Sequence, residues 1–274
     1  MRMTRRQWLA SAAASTALAQ SAPAVIDAHN HLRRGNPDTD RLLIEAADKL
    51  GIAQLCCSTL PPERPMSHDG CLASNQWTFD GMRRFPNRIL GYCTINPGYG
   101  QAALDEVRRS IEDRGFIGIK LYNDYRADEP VLYPLIELAI HLKVPILQHA
   151  GHTMWLSSPQ PRISDGSHIA TLARRYPEAM LICAHICGGG DWEWTIKSLR
   201  NAPTVYLDTS GSVIDDGVLD MAVAELGAER LLFACDLSMT ASVARIRAAS
   251  LTNAQRTAIL GGNMSRLLSR RPRA

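Results

Sequence analysis

Eight short apolar runs of strand length alternate along this chain with amphipathic stretches of helix length, and this alternation limits the possible folds to very few. The runs cover residues 25–32, 52–59, 89–96, 117–122, 144–150, 180–186, 204–209 and 231–237. Between them lie patterns such as DRLLIEAADKLG, GQAALDEVRRSIEDRG, VLYPLIELAIHLK and HIATLARRYPE. In the first of these, Leu42, Leu43, Ala46, Ala47 and Leu50 follow i, i+3, i+4 spacing, which is one face of a helix. Gly51 and Gly115 stand where helices end on a left-handed residue. Pro130 and the Asn96-Pro97-Gly98 turn mark element starts. Strands that are apolar on both faces belong to parallel sheets covered by helices. Eight β-α units in 274 residues fit an α/β fold of the (β/α)8 type, the TIM barrel, which takes about 250 residues. An open doubly wound sheet is the alternative. It needs a phosphate-binding first turn, and no Gly-x-Gly-x-x-Gly follows the first run.

The first 19 residues read as a leader, which leaves 20–274 as a single barrel domain. An arginine pair precedes an apolar run from Trp8 to Ala19 that ends in Ala17-Leu18-Ala19, the form of a cleavable secretory signal. Thr4-Arg5-Arg6-Gln7-Trp8-Leu9 further resembles a twin-arginine export signal, so the expected destination is the periplasm. The leader carries Arg2, Arg5 and Arg6 and no acid, so the mature chain holds 27 basic and 27 acidic residues. That balance gives no footprint for nucleic acid. No apolar stretch is long enough for stable membrane insertion once the leader is removed. The expected partners are a small-molecule substrate and, for assembly, a second copy of the chain as a homodimer. The seven cysteines contain no Cys-x-x-Cys and mostly sit in strand-like runs, so they read as buried reduced thiols.

The C-terminal ends of the runs carry the chemistry. Run one ends in His29-Asn30-His31, run four in Lys120, run five in His149, run six in His185 and run eight in Asp236. In a barrel these ends converge on one mouth, where barrel enzymes place their active sites. Buried imidazoles and carboxylates are costly unless they are paired or bind a metal. Several histidines with one carboxylate suit zinc or a similar divalent ion. In an extended strand Asp27, His29 and His31 alternate, so all three are expected on one face.

These residues carry a family resemblance. Asp27-Ala28-His29-Asn30-His31, followed in order by Lys120, His149, His185 and Asp236, resembles the D-x-H-x-H pattern of the amidohydrolase superfamily. The ending ILGGNMSRLLS is similar to the closing helix of its amidohydrolase-related branch, which includes aminocarboxymuconate-semialdehyde decarboxylase. The resemblance implies one divalent metal ion, zinc first with manganese or iron(II) as alternatives, on His29, His31, His149 and Asp236. It implies His185 and Asp236 as acid/base catalysts, Lys120 lining the site, and Asp27 supporting it from behind. The implied activity is hydrolysis of a small ester, lactone or amide by metal-activated water. A nonoxidative decarboxylase of an unsaturated or aromatic acid is the alternative, and an exported noncatalytic binding protein is a third reading.

Other mouth residues are candidates for substrate contact. His152 follows His149 in a glycine-containing loop. Arg162 closes the long 153–165 loop, which also holds Trp155, and is placed to grip a substrate carboxylate. Arg126, His68, Trp192 and Trp194 also fall on mouth-side loops, whereas His141 reads as a structural residue in a helix.

Overall fold

Each apolar run supplies one strand: β1 (Ile26–His31), β2 (Gln54–Ser58), β3 (Ile89–Thr94), β4 (Gly118–Leu121), β5 (Ile146–Gln148), β6 (Leu181–Cys183), β7 (Tyr206–Asp208) and β8 (Leu231–Leu232). The computed structural model describes residues 24–151, 162–186, 188, 190–213 and 215–271. The strands form one parallel sheet in chain order. The Ala28 amide donates to the Phe233 carbonyl at 2.8 Å, and the Asp236 amide donates to the His29 carbonyl at 2.8 Å. These bonds bring the eighth strand against the first and curl the sheet into the expected (β/α)8 barrel. The leader region lies outside the described residues.

A helix follows every strand: α1 (Pro37–Leu50), α2 (His68–Arg84), α3 (Gln101–Arg108), α4 (Tyr133–Leu142), α5 (Gly166–Arg175), α6 (Trp192–Ser198), α7 (Val218–Leu226) and α8 (Met239–Ala248). Two more, α9 (Asn253–Thr257) and α10 (Asn263–Leu268), close the chain. The local signals act as the sequence implies. The Asn36 side chain accepts from the Thr39 amide to start α1, and Gly51 ends that helix at φ 73°.

The strands divide two apolar layers by alternation. Ile26, Ala28, Cys56, Tyr92, Leu147, Ile182, Leu232 and Ala234 cluster inside the barrel, joined from below by Met264 and Leu267 of α10. Leu55, Cys57, Cys93, Ile119, Ile146, Leu181, Leu207 and Phe233 face the helices in the larger outer cluster. Cys56, Cys57, Cys71, Cys93, Cys183 and Cys235 are free and buried. Burial raises the thiol pKa of Cys56, Cys57 and Cys183, which keeps them protonated, apolar packing groups.

The ladder stops before the apolar runs do. β6 ends at Cys183 and β8 at Leu232, although the runs continue to residues 186 and 237. Beyond those points the backbone turns: His185 has φ 67°, Asp236 φ 42° and Leu237 φ 68°. Non-glycine residues take these left-handed angles at a cost of about 1–3 kcal/mol each, and the surrounding structure must impose them. The turn aims both functional side chains across the mouth instead of along the sheet.

Candidate metal centre

The first correction concerns β1. Its pairing with β2 shifts register between Asp27 and Asn30, the mark of a bulge. Asp27 pairs beside Leu55 and Asn30 beside Cys57, both members of the helix-facing cluster. Ile26 and Ala28 belong to the interior. Asp27 therefore does not share a face with His29 and His31, as plain alternation requires. The extra residue lets His29 and His31 both reach the mouth while Asp27 and Asn30 stand behind them. Asp27 Oδ2 accepts from Asn30 Nδ2 at 2.7 Å, and Oδ1 accepts from the amides of His29 at 3.1 Å and Cys235 at 2.9 Å. It staples the end of β1 to the segment that carries Asp236. Burial pushes its carboxyl up to about 7, against the lowering effect of these hydrogen bonds.

His29, Lys120, His149, His185 and Asp236 meet at the mouth as the sequence implies, with His31 at their edge. One further residue organises them, and sequence reading missed it: Asp208, the last residue of β7, fully buried. Its only signal was an acid ending an apolar run. Asp208 Oδ2 lies 2.8 Å from His29 Nδ1. Its Oδ1 accepts from Ser210 Oγ at 2.6 Å and from the amides of Ser210 and His185 at 2.9 and 3.0 Å. Burial alone would raise this carboxyl, but the charge and hydrogen bond of His29, then the charge of His185 and the Ser210 bond, hold it well below the usual range.

Those contacts set the tautomers by exclusion. His29 donates from Nδ1 to Asp208, which leaves its Nε2 lone pair facing the mouth. Ser210 Oγ spends its proton on Asp208, so it accepts from His185 Nδ1 at 2.9 Å. His185 Nε2 is then an acceptor, and His149 Nδ1 donates to it at 3.0 Å. That leaves His149 Nε2 as a lone pair. His31 Nδ1 lies 3.0 Å from Ser58 Oγ and 3.3 Å from the Ser58 carbonyl, so Ser58 holds this ring at the mouth. One carboxylate, Asp208, thus orients His29 directly and His185 and His149 through Ser210.

The residues fit a divalent cation. His31 Nε2 hydrogen-bonds to Asp236 Oδ1 at 3.2 Å. His29 Nε2 is 4.0 Å from the same oxygen. Ligand atoms of His29, His31 and Asp236 all lie within 4.8 Å of one another, as do those of His29, His185 and Asp208. Imidazole nitrogens and carboxylate oxygens gathered this closely suit a positive charge among them. Lys120 Nζ, buried and 2.9 Å from His29 Nε2, supplies one here. Burial lowers the Lys120 pKa to about 8, opposed by Asp236 and Asp208. Burial also lowers His29 to about 3, with Lys120 adding to the effect, and lowers His149 and His185. Neutral imidazole is the form that binds metal. Burial would raise Asp236, but the His31 hydrogen bond and the neighbouring imidazoles keep it strongly ionised.

The remaining candidates separate. His149 stacks on Tyr122 with ring centroids 4.3 Å apart. His68 begins α2 and packs against Tyr99, 5.4 Å between centroids, not against the histidine cluster. Arg162 donates to the Asp124 carbonyl at 2.9 Å and lies over the Tyr125 ring. Arg126 is exposed and pairs with Asp128 at 3.7 Å. Trp192 and Trp194 donate to Asp215 and Asp165. His141 is exposed on α4. His152 and Trp155 lie outside the described residues.

Comparison with known proteins identifies the family. The chain matches the amidohydrolase family over residues 26–270. It belongs to that family. Among solved structures it is similar to 2,6-dihydroxybenzoate decarboxylase from Rhizobium, at TM-score 0.71 and 19% identity over 90% of this chain and 98% of that one. It is also similar to 5-carboxyvanillate decarboxylase from Sphingomonas paucimobilis, at TM-score 0.69 and 16% identity over 90% and 99%. A third is dihydroxybenzoic acid decarboxylase from Polaromonas, solved with manganese and 2-nitroresorcinol, at TM-score 0.68 and 18% identity over 90% and 97%. This family member thus shares its barrel with decarboxylases, one of them solved with manganese bound.

Proposed function

We propose that this amidohydrolase-family chain is a metal-dependent, nonoxidative decarboxylase of a small aromatic or unsaturated acid. The observation that carries the reading is the likeness to solved decarboxylases along the whole barrel, one of them holding manganese. The cluster at the mouth is compatible with it. His29, His31, His149 and Asp236 would hold the ion, with manganese or zinc the candidates. A bound ion supplies a fixed positive charge that stabilises negative charge developing on an acidic substrate.

The chain's own groups handle the proton. In decarboxylation the carbon–carboxylate bond breaks, carbon dioxide leaves, and the electron pair stays on the substrate carbon until a proton takes its place. Asp236 Oδ2 and His185 Nδ1, 3.5 Å apart, are the pair placed to hold and return that proton. Asp236 keeps 29% of its side chain exposed, so it faces incoming substrate. Ser210 and Asp208 keep the His185 ring from rotating.

Hydrolysis of a small ester, lactone or amide is the second reading. The ionised Asp236 beside His185 favours it, because the same pair can accept a proton from water. Metal-stripped protein, reloaded with manganese or zinc, is assayed on a hydroxybenzoate panel and on an ester, lactone and amide panel. The expected result is carbon dioxide release that requires the ion. Hydrolysis with no carbon dioxide from any acid would transfer the assignment to the second reading.

A further inference from the structure

The chain beyond β1 continues to shape the mouth after His31. Leu32, Arg33 and Arg34 border a cavity of about 400 Å3 that His31 also lines. The cavity also has an apolar lining: Leu60 and Pro62 after β2, and Leu237, the residue that follows Asp236. A volume of this order accommodates one substituted ring. Leu237 is 40% exposed, so its side chain is available to such a ring.

The two arginines differ from the others at the mouth. Arg64 donates to the Pro61 and Glu63 carbonyls and covers the Tyr122 ring. Arg162 and Arg126 have the partners described above. Arg33 and Arg34 are exposed, and neither guanidinium has a hydrogen bond or ion pair among the described residues. Arg34 has Glu63 as an electrostatic neighbour, but the Glu63 carboxylate already accepts from Ser67 Oγ at 2.5 Å. Two open guanidinium forks beside an apolar wall form a receptor for a planar, anionic molecule.

We infer that Arg33 and Arg34 bind a second carboxylate, carried on the part of the substrate that is not cleaved. The substrate is then a dicarboxylic acid: one carboxylate lies at the His29, His31 and Asp236 cluster, and the other lies at the two arginines with the carbon skeleton against Leu60, Pro62 and Leu237. This rests on the decarboxylase reading only for which carboxylate departs.

The test uses isophthalate and benzoate, which differ by one carboxylate, titrated calorimetrically into manganese-loaded and chelator-stripped protein. Charge-assisted hydrogen bonds at an exposed site are expected to favour isophthalate by about tenfold. In the Arg33→Gln, Arg34→Gln double variant the two acids should bind equally, while Arg33→Lys, Arg34→Lys keeps part of the preference. An unchanged melting temperature shows that the variants fold. No preference in the unaltered protein, or a preference that survives the glutamine variant, overturns the inference. The two readings fail separately. A preference abolished by the glutamine variant, with no carbon dioxide from any acid, upholds the subsite and removes the decarboxylase. Metal-dependent carbon dioxide release with no dicarboxylate preference does the reverse.

Discussion

Ile26, Cys56, Tyr92, Leu147 and Ile182 fill the lower barrel interior with Met264 and Leu267 beneath them, while the strand ends above carry His29, Lys120, His185 and Asp208. Both regions are buried, but burial does different work in each. Below, the Tyr92 phenol is satisfied simply: its Oη donates to the Ala28 carbonyl at 3.3 Å. Apolar contact carries that layer, and its loss would leave a cavity. Above, imidazoles and carboxylates crowd together and backbone angles are strained, so the arrangement depends on hydrogen bonds such as those to Asp208. Stability belongs to the floor and chemistry to the mouth.

Substitutions can break or sharpen that division. At the mouth, Asp236→Ala should lower turnover by about 10²–10⁴-fold, the range for a lost acid/base group, with a small change in urea midpoint. Turnover within tenfold of the original would show that Asp236 does not organise the chemistry. At the floor, Leu267→Ala should cost about 2–5 kcal/mol in urea unfolding, with metal content per chain unchanged. A loss of bound metal there would mean the two regions are coupled. Between them lies Asp208→Asn, which removes the acceptor that orients His29 and, through Ser210, His185 and His149. Chelator competition should show about 10–100-fold weaker metal binding, the usual effect of losing a group that orients a ligand.

The smallest effect is expected away from both regions, at the N-terminus of α5. Asp165 caps that helix by accepting from the Ser167 and His168 amides. Its replacement by Ala should cost about 1 kcal/mol. Burial raises the Asp165 carboxyl, but the Ser167 hydrogen bond and the His168 charge outweigh it and hold it at about 2, below the ordinary 3.8. A depressed folded pKa contributes stability above the ordinary value, and that contribution disappears as pH falls towards about 2. The stability gap between the protein and Asp165→Ala should therefore narrow between pH ~4 and ~2. A constant gap across that window would show that the carboxylate charge is not what caps the helix.

The sequence by itself determined the alternation of eight strands with helices, because apolar periodicity is a local property that burial enforces wherever the chain goes. It also placed His29, Lys120, His149, His185 and Asp236 at strand ends, and a barrel brings all such ends to one mouth. Only the tertiary structure decided that Asp27 faces away from His29, since a bulge is visible only against its partner strand. It alone exposed Asp208, whose role depends on His29 from the far end of the chain and on Ser210 and His185. It also engaged Arg162 and Arg126 elsewhere and left the Arg33 and Arg34 guanidiniums without a hydrogen-bond or ion-pair partner among the described residues. A residue type and its period are written along the chain, but hydrogen-bond partners, tautomers and free donors depend on neighbours distant in sequence.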